Sequence, residues 1–389
     1  MIVQIFNSTL VSGPETLVLP ALPNLGEPVE VVFLSETRRS WDAQKPIAYA
    51  QSLGLKTHSV PVRSRIDRHA IADLAALLQK LGAKIAHAHD VKASTYLRAA
   101  SRQISTVKPK LVSTHHGVRA RSGMRASLYE EFYVRFVLPN FDLALVVCTS
   151  DRELLIKRGL PPHKVKIHLN GIDRPEPPEE QRAEIAQRLH QEWGLADLGI
   201  TDKTVVIGFA ARIAREKRLD RVLRVMQHLH DISRRDPLFP DWRLLIFGVG
   251  PLELSLKALT KKLGISEHVN WMGYRHGLGN EMAGFDLLVS LSDAEGLPIN
   301  LLEAGWAATP VFATAVDGNL DLFDLPGLVT MVPVNEKEQS MAEKLAPFIR
   351  DPELRRRSGL KFRERVKANF CGKRWLEELK DVYVDLRRI

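Results

Sequence analysis

Two doubly wound α/β domains of similar size are what this chain predicts, on three observations. Short apolar runs alternate with amphipathic helical stretches along almost the whole length, the pattern of βαβ units and mostly parallel sheets. A stiff polar segment, Arg174-Pro175-Glu176-Pro177-Pro178, interrupts that alternation once, near the middle, as an interdomain linker does. The length, 389 residues, suits two or three domains of roughly 100–200 residues each.

Taken in order, the first half offers strands at Ile2–Phe6, Val29–Leu34, Lys84–His87, Lys110–Thr114, Leu143–Cys148 and Val165–Leu169. A charged helical segment, Glu179–Trp193, follows the linker, and strands resume at Val205–Ala210, Arg243–Phe247, Val269–Met272, Leu287–Leu291 and Pro310–Thr314. Among the helices, Leu219, Val222, Met226 and Leu229 recur at spacings of three and four, which buries one face. Near the end, Arg374–Leu386 puts Trp375, Leu379, Val382 and Leu386 on one face. The expected division is 1–172, 173–372 and a terminal helix at 373–389 that packs back across the first domain.

Composition narrows the class. Hydrophobic residues at 45% and charged residues at 26% exclude a disordered or fibrous chain. Two cysteines, Cys148 and Cys371, are too few for a disulfide framework and point to a reducing compartment. No run nears the roughly 18 apolar residues of a membrane span, and the first basic residue is Arg38, so a secretory signal is not expected. The expectation is a cytoplasmic protein. Its charge is uneven: residues 1–172 carry 23 Lys and Arg against 13 Asp and Glu, the remainder 32 against 33. A basic first half suits an anionic surface, membrane or nucleic acid, or is a solvated face with no partner.

The residues that carry chemistry lie mostly in the second half. After Leu287–Leu291 the chain reads Ser292-Asp293-Ala294-Glu295-Gly296-Leu297-Pro298-Ile299-Asn300-Leu301-Leu302-Glu303-Ala304. A strand end, a Gly turn and a Pro suited to a first helical position make a strand-loop-helix junction, whose N–H groups favour an anion. Glu295 falls in the loop and Glu303 one to two turns into the helix, where carboxylates can accept hydrogen bonds from sugar hydroxyls. They could equally be surface residues of a helix start. After Val205–Ala210, Arg212, Arg215, Lys217 and Arg218 crowd four cations into seven residues, suited to gripping a diphosphate or simply solvated. Gly248-Val249-Gly250 lacks the third glycine of a dinucleotide fingerprint, and there is no GxxxxGK[ST] loop, which argues against NAD, FAD and P-loop nucleotides.

Together these motifs resemble the donor-binding half of a family 4 glycosyltransferase with the GT-B fold, two doubly wound Rossmann-like domains facing across a cleft. The Glu295-x7-Glu303 spacing in an EGLP…EA frame resembles that family's signature, and Arg212 and Lys217 match its cation pair. In the first half, Thr114-His115-His116-Gly117 resembles the T-x-H-G element, Phe141-Asp142 through Thr149-Ser150 the strand-Ser element, and Asn170-Gly171-Ile172-Asp173 the NG-[IV]-D at the domain crossover.

The resemblance implies a metal-independent, retaining transfer of a hexose-type sugar from a nucleotide sugar, with UDP favoured over GDP, and needs no cofactor. It implies that the first domain takes a saccharide or lipid-linked acceptor and the second the donor. Carried over, His116, Arg212, Lys217 and Glu295 serve catalysis, the two cations neutralising the leaving diphosphate. Glu295 holds donor-sugar hydroxyls and Glu303 the ribose; Gly296, Leu297 and Pro298 line the sugar-phosphate pocket, and Tyr274 and Arg275 face the base. Gly13, in Ser12-Gly13-Pro14-Glu15, stands where the family often has a Gly-Gly loop. Other departures are Arg218 in place of a common Gly, and Gly318-Asn319-Leu320-Asp321 in place of G-x-x-E, which could shift sugar preference.

His87, His89 and Asp90, with His115 and His116, raise the alternative of a metal site, although strand-end polar residues serve acceptor binding equally well. Cys148 reads as a core residue. Arg63, Arg65 and Arg68, then Arg119, Arg121, Arg125, Tyr129, Phe132, Tyr133, Arg135 and Phe136, suit either an anionic membrane interface or a helix whose aromatics face the core. The expected partners are therefore a nucleotide sugar, a saccharide or glycolipid such as a lipopolysaccharide or surface-polysaccharide precursor, and the inner face of the cytoplasmic membrane, with no nucleic acid. Two alternatives stay open: a non-transferring GT-B nucleotide-sugar enzyme such as an epimerase, and a basic nucleic-acid-binding protein, for which the chain has no signature.

Overall fold

The structure is a computed structural model; it describes all residues except 8–10, 12, 37–43, 65, 118–129, 175–181, 324–329 and 389. Two compact units emerge, one formed by Met1–Gly171 with Gly372–Ile389, the other by Ile172–Cys371. The two crossings are pinned side by side: Ile172 N donates to Phe370 O at 2.9 Å, and Ile172 bridges Cys371.

In the first unit, β1 (Ile2–Phe6), β2 (Val29–Glu36), β3 (Lys56–Val62), β4 (Ile85–Ala88), β5 (Lys110–His115), β6 (Leu143–Val146) and β7 (Val165–Ile167) form one sheet in the order β3-β2-β1-β4-β5-β6-β7. Every pairing is parallel. The second unit repeats the plan with β8 (Val205–Ala210), β9 (Trp242–Phe247), β10 (Val269–Gly273), β11 (Leu287–Ser290), β12 (Val311–Thr314) and β13 (Thr330–Val332), in the order β10-β9-β8-β11-β12-β13, again all parallel. Each sheet therefore reverses direction once, at β1/β4 and at β8/β11. A doubly wound sheet opens a crevice at the carboxyl ends of its strands at such a point.

Two strands escape the sequence reading, and both are edges. β3 reads Lys-Thr-His-Ser-Val-Pro-Val, with Pro61 tolerated because an edge strand has no second neighbour to bond. β13 has three residues and no apolar run of its own. β6 and β7 are shorter than the apolar runs that announce them: Val147 and Cys148 stay buried beyond the ladder, and Cys148 stands at the start of the helix Thr149–Lys157.

Helices cover both sheets by burying one stripe each. Leu219–Ser233 buries Leu219, Val222, Met226 and Leu229, and packs against Glu338–Arg350. Asp67 and Asp90 cap Arg68–Lys80 and Val91–Ser101 by accepting two backbone N–H bonds each. The terminal helix Gly372–Arg388 belongs to the first unit and buries Trp375, Leu379, Val382, Tyr383 and Leu386. Trp375 stacks on His168, with ring centroids 5.1 Å apart, and its carbonyl bonds His168 Nε2 at 2.9 Å. No helix among the described residues is long and apolar enough to cross a membrane.

Candidate active site

The second unit concentrates its functional side chains at the β8/β11 reversal. The loop after β8 carries Arg212 to Arg218, and the loop after β11 carries Leu291 to Pro298. Two hydrogen bonds tie this region together: the backbone Asp293 N donates to Glu216 O at 2.9 Å, and the side-chain Asn300 Nδ2, at the start of the next helix, donates to Ala210 O at 2.9 Å. Within the second loop, Ser292 Oγ donates to Glu295 Oε1 at 2.7 Å, and Thr314 Oγ1 to Ser292 O at 2.6 Å. The helix Ile299–Trp306 begins one residue later than Pro298, which stands at its cap rather than inside it.

Glu295 is buried and meets Lys217 Nζ with both carboxylate oxygens, at 2.6 and 2.7 Å. Arg212 is largely exposed and holds Glu216 at 2.6 Å. Arg215 is exposed. Arg218 is engaged by two acids: its guanidinium binds Asp293 at 2.9 and 3.0 Å and Asp220 at 3.0 and 3.2 Å. Of the four cations, Arg218 therefore braces the loops rather than waiting for an anion. Its φ of +47° explains why a glycine suits this position: the left-handed region costs other L-residues roughly 1–2 kcal/mol. Buried Arg221 completes the brace, donating to Leu291 O at 2.7 Å and to Asp293 at 2.6 Å.

Glu303 faces a separate cation. Arg174 Nη2 lies 2.6 Å from Glu303 Oε1, and Trp306 Nε1 donates to Arg174 O at 2.9 Å. Burial pushes the Glu303 carboxyl up, and the neighbouring Arg174 opposes that shift. Gly318 lies against Gly296 so closely that a Cβ on it would come within 1.1 Å of Gly296 O; only glycine at 318 lets the helix Asp317–Leu322 seat against the loop after β11. Leu297 is buried. Tyr274 is exposed, whereas Arg275 is engaged by Glu281, at 3.0 Å through Nη2, and by Glu192 at 3.7 Å. Trp193 Nε1 donates to the same Glu281 at 2.9 Å.

The first unit collects histidines at its own reversal. His89 Nε2 bonds Gln4 Oε1 at 2.7 Å, Gln4 Nε2 donates to Tyr383 Oη at 2.8 Å, His87 Nδ1 bonds Tyr383 Oη at 2.7 Å, and His87 Nε2 bonds Thr114 Oγ1 at 2.7 Å. The rings of His87 and His89 stack at 4.3 Å, and His89 also stacks on Phe6 at 4.3 Å. Burial pushes His87 and His89 well below the usual histidine range. His116, just past β5, has both ring nitrogens buried without a partner among the described residues, and burial together with His168 lowers it to about 4. These rings are neutral at pH 7. Asp90 joins β1 to β4, accepting from Asn7 N at 2.9 Å. Gly13 opens the helix Gly13–Ala21, and its carbonyl accepts from Thr16 Oγ1 at 3.0 Å.

Among the described residues no group of three His, Cys, Asp or Glu side chains is arranged to hold a metal ion. Cys148 is buried, and burial with nearby Asp151 raises its thiol to about 12, far from a nucleophile's range. In the aromatic segment Tyr133 is buried, while Phe132 and Phe136 are exposed and pair at 5.5 Å. Arg65, Arg119, Arg121, Arg125 and Tyr129, like Ser12, lie outside the described residues. Sequence reasoning gave no role to Arg174, Arg221, Asp293, Gln4 or Tyr383; Arg174 directly follows the Asn-Gly-Ile-Asp element and Asp293 sits inside the Glu295 frame, the only local signals available.

Two family models divide the chain between them. "Glycosyltransferase Family 4" matches residues 17–175, and "Glycosyl transferases group 1" matches residues 195–365. The chain belongs to glycosyltransferase family 4. This transferase is 25% identical over 336 residues to the putative glycosyltransferase EpsD of Bacillus subtilis, covering 84% of each chain. It is 23% identical to the UDP-Gal:alpha-D-GlcNAc-diphosphoundecaprenol alpha-1,3-galactosyltransferase of Escherichia coli, covering 82% of this chain and 80% of that protein. The crystal structure of Anabaena HepE in complex with UDP-glucose superposes with a TM-score of 0.80 at 16% identity, covering 99% of this chain and 100% of that one. The fold of this transferase is accordingly GT-B.

Proposed function

We propose that the enzyme transfers a hexose from a UDP-sugar to a saccharide or lipid-linked acceptor in the assembly of a bacterial cell-surface glycoconjugate, without a metal ion and with retention of the donor's anomeric configuration. The observation that carries this reading is the Lys217–Glu295 pair, a cation and a carboxylate in contact at the sheet reversal. The bond that breaks joins the anomeric carbon to the diphosphate, so negative charge grows on the leaving group. Lys217 and Arg212 meet that charge, and Glu295, held by Ser292, binds the sugar hydroxyls. Glu303 takes the ribose, Gly296, Leu297 and Pro298 line the sugar and phosphate, and Tyr274 faces the base. Arg275, engaged by Glu281, shapes the base loop rather than reaching the base itself. His116, kept neutral by burial, is assigned to the reacting sugar. Donor contact by Gly13 is part of the same reading.

The choice of UDP and of a lipid-linked acceptor is supported by the names of the Escherichia coli and Anabaena proteins. Association with an anionic membrane surface is supported by the basic first half and by exposed Phe132 and Phe136 flanking Arg135; flotation with anionic vesicles at low salt tests it, and protein left at the bottom of the gradient refutes it. The donor assignment is tested by a thermal-shift screen of UDP, GDP, ADP and CMP and their common sugar conjugates, with and without EDTA. A nucleotide at about 100 times its Kd stabilises by about 2.7 kcal/mol. A UDP-selective shift that survives EDTA is expected; no shift with any nucleotide overturns the reading. NMR of the product's anomeric proton decides retention, and conversion of the donor with no acceptor present would favour the epimerase alternative.

A further inference from the structure

We propose that Arg174 is a positioning residue for the nucleotide ribose, acting through Glu303; the inference rests on the donor-site reading above. The Glu303 carboxylate is walled on two sides. On one, Arg174 Nη2 holds Oε1 at 2.6 Å, with both side chains mostly buried. On the other, the Leu278–Asn280 turn closes so tightly that a Cβ on Gly279 would stand 2.1 Å from Oε1 and 2.7 Å from Oε2. The backbone of Arg174 is anchored as well, its carbonyl accepting from Trp306 Nε1 at 2.9 Å. Trp306 lies three residues beyond Glu303 on the same helical face, so Arg174 grips that helix by backbone and side chain together.

This arrangement does two things for a carboxylate that must bind a diol. It occupies Oε1 and so orients the plane of the group, leaving Oε2 as the acceptor for ribose hydroxyls. The positive charge of Arg174 also opposes burial, which pushes the Glu303 carboxyl up towards the neutral acid, a poorer acceptor for a ribose hydroxyl. Arg174 is remote from Glu303 in sequence, at a separation of 129, and no part of the Glu295-x7-Glu303 frame announces it.

The test compares UDP with 2′-deoxy-UDP, by calorimetry, on wild type, Arg174→Ala and Arg174→Lys, with GDP and 2′-deoxy-GDP used instead if UDP does not bind. Wild type is expected to prefer the ribonucleotide by about tenfold, the value of one hydrogen bond to a charged group. Arg174→Ala should lose about that factor for UDP and change 2′-deoxy-UDP less than about threefold, collapsing the preference. Arg174→Lys should retain part of it and guards against a misfolded alanine variant. Equal weakening of both nucleotides by Arg174→Ala, or an unchanged preference in both variants, overturns the role of Arg174. A wild type that binds neither nucleotide, or binds both alike, overturns the donor-site or ribose assignment instead.

Discussion

The two units share one strand order, with a seventh strand added at the edge of the first, and gather polar side chains at the same topological point, yet they satisfy those side chains by opposite means. In the second unit the reversal is charged: Lys217 with Glu295, Arg174 with Glu303, and Arg218 and Arg221 with Asp293. In the first unit it is neutral: His87, His89, Gln4, Thr114 and Tyr383 form a hydrogen-bonded chain in which no member needs to carry charge. The difference teaches what each edge can tolerate. Paired charges can be exchanged for those of an ionic ligand, whereas a buried neutral network holds its shape only while its histidines stay unprotonated.

Opening the charged pair has the largest expected effect. Lys217→Ala and Glu295→Ala should each reduce transfer by about a thousandfold or more, the first because charge stabilisation of the leaving group is lost and the second because the acceptor for the sugar hydroxyls is lost. Lys217→Ala should also destabilise by about 3–5 kcal/mol by leaving Glu295 buried and unpaired, and Lys217→Ala/Glu295→Ala should recover much of that in urea denaturation. Activity that survives both single substitutions would remove the second unit's charged edge from the chemistry.

In the first unit the effect should be on stability. Trp375→Ala should cost about 3–5 kcal/mol, measured by urea unfolding at pH 7, because it empties the buried seat against His168. Acid should then separate the units. His87, His89, His116 and His168 all have folded pKa values below the ordinary 6.5, the last two at about 4. Between those values the unfolded chain binds more protons, so stability falls as pH drops from about 6.5 toward about 4, by up to about 1.4 kcal/mol per pH unit for each histidine. Proteolysis at pH 5 should cut the first unit before the second, and a stability profile flat across this window would refute the neutral network.

The smallest effect sharpens the picture of the brace. Arg218→Gly relieves a left-handed backbone worth about 1 kcal/mol and loses partly exposed ion pairs of similar size, so a net change within about 1 kcal/mol is expected in thermal unfolding. A loss well above that would mean Arg218 holds the Glu295 loop in place more firmly than its contacts imply.

Local spacing alone encodes a good part of this protein. The parallel-sheet plan, the buried stripes of Leu219–Ser233 and Gly372–Arg388, and the placing of Glu295 in a loop with Glu303 eight residues later in a helix all follow from backbone periods of 2 and 3.6. Edge strands such as Lys56–Val62 were illegible because they bury one face weakly and share bonds with one neighbour. Only the tertiary structure decided which polar groups meet. Arg174 reaches Glu303 across 129 positions, His87 reaches Tyr383 across 296, and Gln4 reaches the same hydroxyl across 379. Such pairs are set by strand order and helix docking, which bring distant residues within hydrogen-bond reach, and a buried polar group must take whichever partner the fold delivers.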